Sequence, residues 1–167
     1  MKAETQNFSS SFGYNQYLSS RVTAVGEECE FIDRFVGEIE RTTANLASYE
    51  PISSLIKELE QTFKECSQPG WDGYGGQPIS EKSLSDAVHF ILACLPPELA
   101  RKAEVCPEPD GDLALEWIGP VDSSFSLSFS GNSTLYYAGQ WGESYSHGKE
   151  YFHNAQKVIR FIRDTTG

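Results

Sequence analysis

Three side chains in this sequence could move protons: Asp72 in "GWDGYGGQPIS" (residues 70–80), Glu116 in "DLALEWI", and His147 in "SYSHGKEYF". A pair of carboxylates flanking a bond is the apparatus of glycoside hydrolysis, and carboxylates beside a metal ion assist other cleavages. An imidazole at the end of a strand is a natural general base. If the fold brought Asp72, Glu116 and His147 into one cleft, the chain would be a small hydrolase. Other residue patterns oppose that reading. Glu116 alternates with Leu115 and Trp117, so a strand that buries those two turns Glu116 to solvent. No serine sits in G-x-S-x-G, and nothing beside Cys66 or Cys106 would lower a thiol pKa. The preferred expectation is therefore a non-enzymatic protein with no assigned catalytic residue. The four cysteines, Cys29, Cys66, Cys94 and Cys106, form no C-x-x-C pair. Neither a metal nor a cofactor is called for.

The glycine-rich stretch around Asp72 raises the question of phosphate binding. A phosphate loop needs a closing lysine after a strand, and a dinucleotide loop needs G-x-G-x-x-G between strand and helix. Here a helical pattern precedes the loop, no lysine closes it, and Asp72 would repel a phosphate. A structural corner made of Trp71, Asp72, Gly73 and Tyr74 accounts for the residues better. Trp71 is expected to be largely buried and Asp72 to accept backbone N–H groups. Gly73 and Gly75 would supply positive φ, and Tyr74 would pack over the sheet edge.

"GWDGYGGQPIS", an amphipathic helix ending in "LPP", and "PEPDGDLALEW" follow one another in this chain. The combination resembles a family of small uncharacterised bacterial proteins. Their pattern runs G-W-D-G-Y-G-A-x-P-[IV]-S, helix, L-P, then P-x-P-D-G-x-[IL]-x-L-E-W. The likeness spans roughly residues 70–148 and rests on two specific motifs. Gly76 stands where that family usually has alanine, a change that reads as mild. The resemblance implies a bacterial or phage origin, often among mobile-element and defence-associated genes, and it implies no particular activity.

The positioning elements follow from hydrophobic period. Residues 1–26 are rich in Ser, Asn and Gln and read as a mobile arm, with a single domain over 27–167. Helical spacing runs across 27–47 and again from Pro51 through Phe63. Ser80 caps a further helix that Pro96 and Pro97 stop. The period then changes to two: Leu113, Leu115 and Trp117 alternate with polar residues, as do Phe125, Leu127 and Phe129 with serines. "PDG" and "SGNS" are turns, "TLYYAGQW" continues the sheet, and Phe152 through Ile162 returns to helical spacing. The expected fold is α+β: an antiparallel sheet of about four strands, helices on one face, and a closing C-terminal helix.

The chain has 167 residues, a net charge of −11 and a pI near 4.6. Such a balance disfavours direct nucleic-acid binding, which depends on Lys and Arg, and favours a basic protein partner. No apolar run is long enough for a membrane, and the N-terminus lacks a secretory pattern, so a cytoplasmic location is expected. Tyr136 and Tyr137 are adjacent on a strand and cannot both enter one core. Tyr136, Trp141, Tyr145 and Glu116 are the expected partner-binding residues. Together these features suggest an acidic inhibitor or accessory factor, antitoxin-like or anti-defence, acting on a nucleic-acid-processing protein. A homo-oligomer is left open.

Overall fold

The computed structural model describes residues 49–167. The expected arm (1–26) and the helix expected over 27–47 lie outside the described residues. Helix α1 (Glu50–Glu65) carries Pro51 in its first turn, where its missing N–H costs nothing. Its apolar stripe of Ile52, Leu55, Ile56, Leu59 and Phe63 is buried. Helix α2 (Glu81–Ala93) is capped as the sequence suggests: the Ser80 side chain accepts from the Ser83 N–H at 3.1 Å. Pro96 separates it from a single turn, α3 (Pro97–Ala100), which starts on the second proline.

Five strands then run back and forth as a meander, each hydrogen-bonded to the next. They are β1 (Ala103–Pro107), β2 (Leu113–Ile118), β3 (Ser123–Phe129), β4 (Thr134–Trp141) and β5 (Ser144–Tyr151). A 3-10 turn (Phe152–Asn154) leads into the closing helix α4 (Ala155–Thr166). The fold is α+β with an antiparallel sheet, which among the described residues has five strands instead of about four. Alternation is weakest in the two edge strands, which is why their number was hard to read. β1 is short, and β5 has no buried residue at all.

Register sorts the side chains onto two faces. Leu113, Leu115 and Trp117 of β2 stand opposite Phe129, Leu127 and Phe125 of β3. All six are 0–1% exposed and pack under the helices with Leu135. Two buried polar contacts fix helices to the sheet. The Ser83 hydroxyl donates to the Phe129 carbonyl (2.5 Å) and accepts from the Leu113 N–H (2.7 Å). The Trp117 indole N–H donates to the Leu99 carbonyl at 2.9 Å. Each polar group taken from water thereby finds a partner, as burial demands.

Candidate functional site

The glycine-rich stretch and the "PDG" turn meet in space. The Gln77 N–H donates to the Pro109 carbonyl, and the Ser80 N–H to the Gly111 carbonyl, both at 2.8 Å. Gly111 has φ +92°, and a Cβ there would lie 2.7 Å from the Pro78 carbonyl oxygen. The glycine loop and the β1–β2 turn are thus one joint, held by backbone approach that only glycine permits.

Within the loop, Asp72 Oδ1 accepts from the Gly76 N–H (2.8 Å) and the Tyr74 N–H (2.9 Å). These bonds, from Gly76 first and then Tyr74, hold its carboxyl below the usual aspartate range. Gly73 and Gly75 have φ of +78° and +98°. Trp71 is partly buried: it packs against the core cluster while its indole N–H donates to the Gln77 carbonyl at 2.8 Å. One expectation about this corner needs correction. Tyr74 does not pack on the sheet edge and is 97% exposed, because the turn carries its side chain outward. Gly76 is also less neutral than it reads from sequence. A Cβ there would lie 2.9 Å from Asp72 Cγ, so alanine requires the carboxylate to shift.

The sheet face away from the helices carries the other singled-out residues. Register aligns Glu104, Glu116, Ser126, Ala138 and His147 in one row across all five strands. A neighbouring row runs Ile118, Ser124, Gln140, Tyr145. Between these rows lies a shallow groove of about 310 Å³, whose lining includes Glu116, Ser124, Ser126, Gln140, Tyr145 and His147. Ile118 is 66% exposed and Tyr145 81%. Tyr136 shares this face and is 37% exposed, whereas Tyr137 points inward and stacks on Phe125 at 6.0 Å.

Trp141, grouped with Tyr136 and Tyr145 by sequence, belongs to the opposite face. It has the parity of Leu135 and Tyr137, packs on Phe125 and Phe161, and donates to Thr165 Oγ1 at 3.0 Å. Glu116 and His147 line one groove, while Asp72 does not line it. Sequence reasoning passed over Ser124, Ser126 and Gln140. The signal was present in "SFSLSFS", where the serines are the polar half of a two-residue period and read only as solvated backs.

Charge is uneven across the face. The β1–β2 side holds Glu104, Glu108, Asp112 and Glu116, with Asp110 at the turn. Burial pushes the Glu108 carboxyl up despite a hydrogen bond from Ser128 Oγ, and neighbouring acids add to the rise. Asp112 is likewise raised, first by burial and then by Asp110, although Ser130 Oγ donates to it. The Cys106 thiol is pushed up to about 11 by burial first and then by Glu116. Glu108, Asp110 and Asp112 also form the one group among the described residues whose ligand atoms, within 4.8 Å of one another, could hold a metal ion. The β5 side carries His147 and Lys149 instead. No described helix is long and apolar enough to cross a membrane.

Comparison with known proteins found no matching protein-family model, no matching curated protein and no matching solved structure.

Proposed function

We propose that this chain is an acidic protein-binding module whose bare sheet face takes a basic partner. In its sharper form, it is an inhibitor or accessory factor of a nucleic-acid-processing protein, encoded on a bacterial mobile element or phage. The observation that carries the reading is that face itself. It is uncovered by any described helix, it presents Ile118, Tyr136 and Tyr145 to solvent, and it sets carboxylates along one side. Exposed aromatics are enriched at partner surfaces, and a net charge of −11 steers basic surfaces toward the chain.

The test is recovery of partners from host cells with wild-type protein and with Glu116→Lys and Tyr145→Ser variants, at low and high salt. A protein recovered by wild type, lost with both variants and released steeply by salt supports the reading. Recovery that is equal for all three proteins, or absent for wild type, overturns it.

A second reading has one observation in its favour: Glu116 and His147 line the same groove. They stand three strand spacings apart in their row, about 14 Å between Cα atoms at about 4.8 Å per step. A hydrolase built on them would hold its substrate across the groove, without Asp72. Turnover of ester or glycoside substrates by wild type, abolished in Glu116→Gln and His147→Gln, is what this reading requires. An inactive wild type ends it.

A further inference from the structure

The two edges of the sheet differ. β1 ends in Pro107, which has no N–H to offer, and α1 packs against it. β5 runs eight residues in unbroken register with β4 and contains no proline. It is the outermost strand. Its hairpin closes through a two-residue turn, Gly142–Glu143, so Trp141 and Ser144 form a hydrogen-bonded pair. Alternation makes Gly139/Ser146, Tyr137/Gly148 and Leu135/Glu150 the other bonded pairs. Tyr145, His147 and Lys149 therefore turn their N–H and C=O groups outward. Among the described residues, no backbone hydrogen bond reaches these three from beyond the β4–β5 ladder.

Charge distinguishes this strand as well. The chain carries −11 overall, yet Ser144–Tyr151 has one lysine and one glutamate and no net charge with His147 neutral. Glu150 is engaged by Lys157 of its own chain. Lys149 has no carboxylate partner among the described residues. Among the described residues, β5 is a neutral, regular edge left unpaired, in a chain that carries −11 overall.

We propose that β5 pairs antiparallel with β5 of a second copy about a twofold axis at His147, joining two five-stranded sheets into one. In this register Tyr145 stands opposite the partner's Lys149, and Lys149 opposite the partner's Tyr145. Both pairs lie on the open side, where a cross-strand ammonium can rest on an exposed ring. On the helix side Gly148 meets the partner's Ser146, two small residues that leave the ladder unobstructed. Sliding the axis to Lys149 would set lysine against lysine, which is unfavourable. A twofold axis perpendicular to the sheet keeps both bare faces on the same side. The partner's Lys149 then completes the outer wall of the groove at Tyr145, and the bare face becomes continuous across the pair.

Sedimentation equilibrium on the full chain tests the pairing, with melting temperatures used to confirm that each variant is folded. Wild type is expected at the dimer mass. Lys149→Glu and Tyr145→Ser are each expected to weaken the dimer by about tenfold or more. A His147→Cys variant places the new thiol opposite itself, about 5.5 Å apart at Cα, within disulfide range. It should cross-link on mild oxidation where wild type does not. A monomeric wild type overturns the proposal, as does a dimer untouched by both β5 substitutions and lost on removal of residues 1–26. A dimer in which His147→Cys fails to cross-link overturns the register.

Discussion

The two faces of this one sheet were built under different constraints. On the helix side, β2 and β3 place six large apolar side chains opposite one another, each 0–1% exposed. On the other side, the same two strands alternate Ala114, Glu116 and Ile118 with Ser124, Ser126 and Ser128. Burial makes the first face intolerant, because close-packed interiors feel the loss of even a methylene. The second face is held in place by the first and contributes little to folding. A face that stability does not constrain is free to be shaped by binding. The comparison can be broken by substitutions that reverse the expected order of stability effects.

Trp117→Ala should produce the largest loss. The ring is fully buried and its N–H is committed to the Leu99 carbonyl, so the change empties the core and strands an acceptor. Chemical denaturation should register about 3–5 kcal/mol of destabilisation. Glu116, the adjacent residue, should not approach that value when truncated.

Ser83→Ala comes next, at about 2–3 kcal/mol, although it removes a single oxygen. That hydroxyl serves both Phe129 and Leu113, and without it a buried carbonyl and a buried N–H lose their partner. The same denaturation experiment checks it. A neutral result would mean the strand ends repack, and that the helix side is more plastic than its density suggests.

Trp71→Ala should cost less than a core tryptophan, about 1–3 kcal/mol, from half-buried ring area and one hydrogen bond to Gln77. Asp72→Asn in the same corner should lower the melting temperature modestly at neutral pH. The sign follows from linkage: the folded carboxyl titrates below its ordinary 3.8. Its stabilisation is thus complete above that value and is lost as pH falls through the folded one. Melting temperature followed from pH 7 into the acid range should fall less steeply below about pH 4 in the asparagine variant than in wild type.

These expectations show where the sequence was readable. Leu113, Leu115 and Trp117 announced a half-buried strand because period two with one apolar side has few other meanings. The stripe from Ile52 to Phe63 announced α1 for the same reason at a different period. Parity required Tyr136 and Tyr137 to part, and register puts Tyr136 on the open face and Tyr137 inside. Trp141 was misplaced because its exposure was inferred from residue type, when its parity with Leu135 already put it on the covered side. The joint between the glycine loop and the "PDG" turn was invisible because backbone hydrogen bonds across more than thirty residues leave no periodic trace. The groove depends on the register of four strands together, which no local pattern encodes.

The smallest effect sharpens the comparison most. Glu116→Gln lies on the bare face and should alter stability by no more than about 0.5 kcal/mol, since no buried partner depends on its charge. It should nevertheless be detectable one strand away. Glu116 is the leading charged contributor to the raised Cys106 thiol, after burial. Neutralising it should therefore lower that pKa from about 11 while leaving it above the ordinary 9.0, because burial persists. The pH dependence of Cys106 alkylation, resolved by peptide mass, measures the shift directly. An unchanged profile would mean that carboxylates on this face are screened from one another, and the basic-partner reading would lose its electrostatic footing. A lowered thiol pKa with unchanged stability would show a surface whose charges are coupled to each other and uncoupled from the fold.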